Sequence, residues 1–178
     1  MTLAEEKQVQ RKAGIAARRA LAPEPRAAAN AALCARLAAL PCFRQARTIL
    51  LYAAFGGEAD LATLAETARG LGKTLAYPVC GENFSLTAAV PGEDGWEAGA
   101  YGIRTPILSR AEILPPEALD LILVPCTAFD AACGVGDALC FKRNAQLHRT
   151  GAAGQVAVVV AFAHSHPAAG GVKGGAGH

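Results

Sequence analysis

The stretch Asp120 to Asp130, D-L-I-L-V-P-C-T-A-F-D, decides the fold class. Leu121, Ile122, Leu123 and Val124 form an unbroken apolar run with no polar alternation, the pattern of a strand buried on both faces of a parallel or mixed sheet. A buried helical segment is the alternative for any short apolar run, but four residues stopped by Pro125 favour the strand. In open α/β sheets chemistry gathers where strands end and loops begin, so the segment from Cys126 onward is the first place to seek a site.

Around that strand, 178 residues suffice for one well-buried domain and not for two. The expected organisation is a single α/β domain over residues 1–163 and a disordered Gly-rich tail over 164–178. A net charge of +2 with 18% charged residues gives no electrostatic case for nucleic acid or an anionic membrane. No apolar run approaches a membrane span, and the N-terminus lacks the apolar centre of a signal peptide, so a cytoplasmic protein is expected. The six cysteines (34, 42, 80, 126, 133 and 140) form no C-x-x-C pair, which argues against a zinc module and for reduced, mostly buried thiols.

Outward from the central strand, the pattern alternates strands and helices. Thr2 and Glu5 fit a capping box for a helix that runs to Leu21 and stops at Pro23. On that helix Lys7, Arg11 and Arg18 share one stripe, while Val9, Ala13, Ala16 and Ala20 share an apolar one. By spacing alone the basic stripe reads as solvated charge. Pro25 to Ala39 is a second helix, and Thr48 to Phe55 the first central strand, followed by Gly56, Gly57 and Glu58. Asp60 can cap a helix from Leu61 to Leu71, with Gly72 as its left-handed terminator, and Thr74 to Pro78 returns as a strand. Strand, capped helix and strand make a βαβ unit. Phe84 to Ala88 is a shorter strand, Pro91 to Gly99 a turn-rich connection carrying Trp96, and Ser109 to Pro116 at most a helical turn. Asp137 to Arg149 reads as a helix and Gln155 to Ala163 as a Val-rich strand.

Several segments, in this order, resemble the 5-formyltetrahydrofolate cyclo-ligase (5,10-methenyltetrahydrofolate synthetase) family. They are K-Q-V-Q-R-K-A-G-I-A-A-R-R-A-L from Lys7, A-A-L-C-A-R-L-A-A-L-P-C-F-R-Q-A-R-T-I-L-L-Y, G-G-E-A-D-L, G-K-T-L-A-Y-P, Trp96, G-I-R-T-P at Gly102 to Pro106, and L-D-L-I-L-V-P-C-T-A-F-D. They span about the first three quarters of the chain, and their collinear order is more specific than any one piece.

The resemblance implies a three-layer α/β/α domain with a mostly parallel central sheet. It also implies ATP-dependent conversion of 5-formyltetrahydrofolate to 5,10-methenyltetrahydrofolate with magnesium, by a monomer with no nucleic-acid or membrane partner. In that chemistry the formyl oxygen is phosphorylated, the second folate nitrogen attacks the activated carbon, and phosphate departs. Carried over by position, Lys7 and Arg11 match the family's nucleotide-contacting pair, which turns the basic stripe into a phosphate site. Glu58 matches the glutamate that holds the folate; on its own it would read as a solvated loop acid. Tyr52 takes the strand-end aromatic position, either core or pocket wall.

Departures gather after Asp130. The family's Arg-Leu-Gly, glycine-rich run and Tyr-Tyr-Asp-Arg are replaced by A-A-C-G-V-G-D-A-L-C-F-K-R-N, in which Arg143 survives as a third nucleotide contact while Lys142 stands where the magnesium acid belongs. Asp130 and Asp137 are the nearest acids, equally suited to a turn and a helix cap. His164 and His166 lack a third ligand and read as exposed. The departures imply a diverged homologue or a reading-frame change near residue 133. A catalytically impaired relative that keeps the fold and binds folate or nucleotide, and a protein acting only through an interaction surface, are the alternatives to an active ligase.

Overall fold

The structure, a computed structural model, describes residues 2–82, 85–125 and 157–161. Helix α1 (Leu3–Ala20) opens with the expected reciprocal cap: the Thr2 backbone N–H donates to Glu5 Oε2 at 2.7 Å and the Glu5 N–H to Thr2 Oγ1 at 3.3 Å. Helix α2 (Pro23–Ala39) starts two residues before the expected Pro25, because proline's fixed φ and missing donor suit a first turn. A short helix α3 (Pro41–Gln45) follows directly, an element absent from the sequence reading. Helix α4 (Ala62–Gly70) begins beside Asp60, whose Oδ1 accepts from the Ala62 N–H at 2.9 Å. It ends as expected at Gly72, φ +70°, where the Gly72 N–H donates to Arg69 O and the Lys73 N–H to Ala68 O. That pair of bonds is the Schellman arrangement, and the positive φ is why glycine stands there.

The strands are β1 (Thr48–Leu50), β2 (Thr74–Cys80), β3 (Leu86–Pro91), β6 (Ala111–Leu114), β7 (Leu121–Pro125) and β8 (Ala157–Ala161), with a separate β4 (Trp96–Ala98) and β5 (Arg104–Pro106). The main sheet runs β6-β3-β2-β1-β7-β8. Its centre is parallel, β2 with β1, β1 with β7 and β7 with β8, and its β3 and β6 edge is antiparallel. This is the mostly parallel α/β sheet expected from the central strand. Register sets the two faces. Ile49 aligns with Leu75 and Leu121, and with Leu51, Tyr77 and Leu123 these side chains face α2, α3 and α4 in one core. Leu50 aligns with Ala76 and Ile122 on the other face, beside Leu119, Ala88 and Val124.

One acid fastens the central strands. Asp120 Oδ2 accepts from the Arg47 and Thr48 N–H groups at 2.8 and 2.9 Å, and the Asp120 N–H donates to Thr48 O at 3.0 Å. Asp120→Ala strands two donors at the head of β1, and about 1–2 kcal/mol of unfolding free energy should disappear in urea titration. An unchanged midpoint and slope would remove that role.

The molecule departs from the sequence pattern at several points. The stripe of Val9, Ala13, Ala16 and Ala20 faces solvent, with Val9 56% exposed, while Gly14, Ile15, Ala17 and Arg18 are half-buried. Alanines contribute little burial, so the larger side chains orient α1. Ser109 to Pro116 contains strand β6 after a single 3-10 turn, because pairing with β3 outweighs a weak local signal. The connection around Trp96 is a hairpin, with Trp96 opposite Pro106 and Ala98 opposite Arg104. The β1 ladder is shorter than Thr48 to Phe55, since after the Leu51 N–H bonds Ala76 O at 2.9 Å the chain leaves the sheet. Of the described cysteines, Cys34 is buried, Cys42 half-buried and Cys80 exposed, and all three are unpaired thiols. Among the described residues no helix is long and apolar enough to cross a membrane. The helix expected at residues 137–149, the tail, and Arg143, Lys142, Asp130, Asp137, His164 and His166 lie outside the described residues.

Candidate functional site

The site begins where β1 runs out. Tyr52 is buried, 8% exposed, and its hydroxyl donates to Ala59 O at 2.8 Å, tying the strand end to the far side of the following loop. Between them Phe55 to Glu58 forms a tight turn. Gly56 and Gly57 have φ of +60° and +84°, and the Glu58 N–H donates to Phe55 O at 3.1 Å. Two consecutive left-handed residues require the Gly-Gly pair. The turn is closed a second time by the side chain, as Glu58 Oε2 accepts from the Phe55 N–H at 3.1 Å.

Two adjoining cavities open beside this turn and share Ala53, Ala54, Asp60 and Arg104. The larger, about 490 Å³, is lined by Glu58, Phe55, Gly57, Asn30, Arg26 and Ile103 as well. Phe55 in its wall meets Tyr101, with ring centroids 6.2 Å apart. Tyr101 is 85% exposed and has φ +59°, a left-handed value uncommon for a tyrosine. The smaller cavity, about 300 Å³, is walled by Tyr52, Tyr77, Trp96 and Arg69. There Trp96 meets Tyr77 edge-on at 4.7 Å, the Arg104 guanidinium lies 4.6 Å from the indole centroid, and Arg69 Nη2 donates to the Tyr77 hydroxyl at 3.3 Å.

The electrostatics follow from burial. Burial pushes the Glu58 carboxyl above its ordinary pKa, opposed by the Phe55 N–H and by the charge of Arg18. Burial likewise raises Tyr52 far above the usual phenol range, with the Glu58 charge adding to it, so Tyr52 is a neutral wall and structural donor. Burial also raises Tyr77, with Arg69 and Arg104 pulling it down. A half-buried carboxylate beside aromatic surface suits a flat heterocycle with a row of N–H donors. Among the described residues no group of three or more His, Cys, Asp or Glu side chains is placed to hold a metal ion.

A family-level comparison matches residues 3–164 to the 5-formyltetrahydrofolate cyclo-ligase family. The chain belongs to that family. The match continues past the first three quarters of the chain and across the altered stretch 131–145. Among solved structures, the 5,10-methenyltetrahydrofolate synthetase of Aquifex aeolicus is similar at 30% identity and a TM-score of 0.61, over 70% of this chain and 62% of that one. The synthetase of Mycoplasma pneumoniae shares the fold at 17% identity and a TM-score of 0.61, over 81% and 80% of the two chains. Among curated proteins no match was found.

For this cyclo-ligase family member, the structure brings Tyr52 and Glu58 to adjoining cavities at the end of β1. Arg11, one helical turn from Lys7 on α1, lines neither cavity, and the Lys7 side chain lies outside what the structure describes. Sequence reasoning missed Asn30, Arg26, Phe55, Tyr101 and Arg104. Arg104 had a signal in its place inside G-I-R-T-P and Phe55 in its place beside the Gly-Gly pair, whereas Arg26 and Asn30 of α2 reach the cavity through long-range packing.

Proposed function

We propose that this chain is an ATP-dependent ligase that converts 5-formyltetrahydrofolate to 5,10-methenyltetrahydrofolate, releasing ADP and phosphate. The observation that carries the reading is Glu58, a half-buried carboxylate in a primed Gly-Gly turn at the mouth of a cavity walled in part by Phe55, in a chain of the cyclo-ligase family. Glu58 accepts hydrogen bonds from the donor edge of the pterin, and Tyr52 walls the pocket. Lys7, Arg11 and Arg143 hold the ATP phosphates. The γ-phosphoryl group passes to the formyl oxygen, the second folate nitrogen attacks the activated carbon, and phosphate leaves with that oxygen. Such a transfer depends on placement and neutralisation of charge, which cations on one helix face supply. Magnesium, when bound, would neutralise further phosphate charge. The extension of the family match across residues 131–145 supports an active ligase over an impaired homologue. On this reading the enzyme is a cytoplasmic monomer built as one domain over residues 1–163.

The direct test is the absorbance of methenyltetrahydrofolate formed from 5-formyltetrahydrofolate with ATP and magnesium. ATP-dependent turnover is expected, and no product at millimolar substrates would end the proposal. Lys7→Ala should cost about 1–3 kcal/mol of nucleotide affinity in calorimetry, the value of a charge-assisted contact. Equal affinity in wild type and variant would take Lys7 out of the site.

A further inference from the structure

One half-buried side chain near the site has no role in the reading above. Arg18 sits in the last turn of α1, half-buried, and its Nε is shielded from solvent with no hydrogen-bond partner among the described residues. A shielded guanidinium N–H without an acceptor is unfavourable, so its position calls for an explanation. Its stem lies against the substrate turn. A Cβ built on Gly57 would meet Arg18 Cβ at 3.9 Å, and the next residue is Glu58.

The geometry points to Arg18 as a positioning residue for the substrate turn: carried on α1 and packed against Gly57, it braces the turn that presents Glu58 and ties the helix bearing Lys7 and Arg11 to the loop that takes the pterin. This rests on the assignment of Glu58 to substrate binding. The link is short, because seven residues of helix separate Arg11 from Arg18, about 10 Å of rise. Other charged and titratable groups also surround Glu58. Asp60 on its own loop adds like charge, Tyr52 at the end of β1 is neutral, and Arg26 of α2 and Arg104 of β5 line the same cavity. Arg18 is the cation whose charge opposes the burial of Glu58.

The test reads Glu58 with and without ligand. In the full chain free of folate, the Glu58 carboxyl is titrated by ¹³C NMR in wild type, Arg18→Met and Arg18→Lys. Met keeps the apolar stem over Gly57 and removes the charge; Lys keeps the charge. Calorimetry then measures 5-formyltetrahydrofolate binding across the same pH range. Arg18→Met should move the Glu58 midpoint upward and weaken folate binding at neutral pH about tenfold, and Arg18→Lys should return both toward wild type. Should Arg18→Met fail to fold, Arg18→Gln is read the same way. A midpoint that stays put in the neutral variant, with thermal stability alone reduced, overturns the role. Wild type that binds no folate overturns the functional reading alone, since the carboxyl titration is made without ligand.

Discussion

Glu58→Gln should lower affinity for 5-formyltetrahydrofolate about a hundredfold, roughly 2.7 kcal/mol, while leaving the fold intact. The amide oxygen can still accept from the Phe55 N–H, so the turn keeps its second closure. Gone are the charge and one acceptor, and the new NH₂ would confront a donor of the pterin edge. The pH dependence sharpens the test. Burial holds the Glu58 carboxyl above its ordinary pKa, so wild-type folate affinity should fall as pH drops through that raised value, and the Gln variant should be flat there. Stability runs the other way. A carboxyl raised on folding binds more protons native than unfolded, so its contribution is fully present below the unfolded pKa and is lost as pH rises through the folded one. At neutral pH Glu58→Gln should therefore denature no more easily than wild type. Calorimetry of binding and thermal melts across pH check both halves, and equal folate affinity in the two proteins would remove Glu58 from the site.

That signature bears on what the sequence could disclose. Period and punctuation carried the frame: the apolar run Leu121 to Val124, the capping pair Thr2 and Glu5, and Gly72 after α4 each do what local chemistry predicts. Strand β6 and the β4–β5 hairpin escaped because their stability comes from partners distant in sequence, β3 for one and the Trp96–Tyr77 contact for the other. At the site, Glu58 and Tyr52 were legible only through family resemblance, since a loop acid and a strand-end aromatic have no pattern of their own. The Gly-Gly pair did announce a tight turn, but not that Glu58 would close it from the side chain and acquire burial by doing so. Arg18 shows the opposite failure. Its stripe with Lys7 and Arg11 read as one solvated face, yet along the helix that face passes from open surface at Arg11 to a half-buried seat against Gly57 at Arg18.

Trp96→Ala should cost about 3 kcal/mol of stability and weaken folate binding as well, whereas Trp96→Phe should recover most of both. The indole joins three parts of the molecule. It pairs with Pro106 across the β4–β5 hairpin, meets Tyr77 of β2 edge-on at 4.7 Å, and lies under the Arg104 guanidinium at 4.6 Å. It also packs against the core shared by α2 and α4 while lining the smaller cavity. Truncation removes that packing, frees the hairpin from β2 and leaves Arg104 without an aromatic platform, so the cavity loses a wall and the position of a cation together. Phenylalanine restores the edge contact and most of the area. As Trp96 is the single tryptophan of the chain, denaturation of the variants is followed by circular dichroism and binding by calorimetry. In wild type the same residue should respond in fluorescence when ligand fills the cavity. A stability loss in Trp96→Ala below about 1 kcal/mol would mean that packing other than the indole, the buried Pro106 included, holds the hairpin to β2.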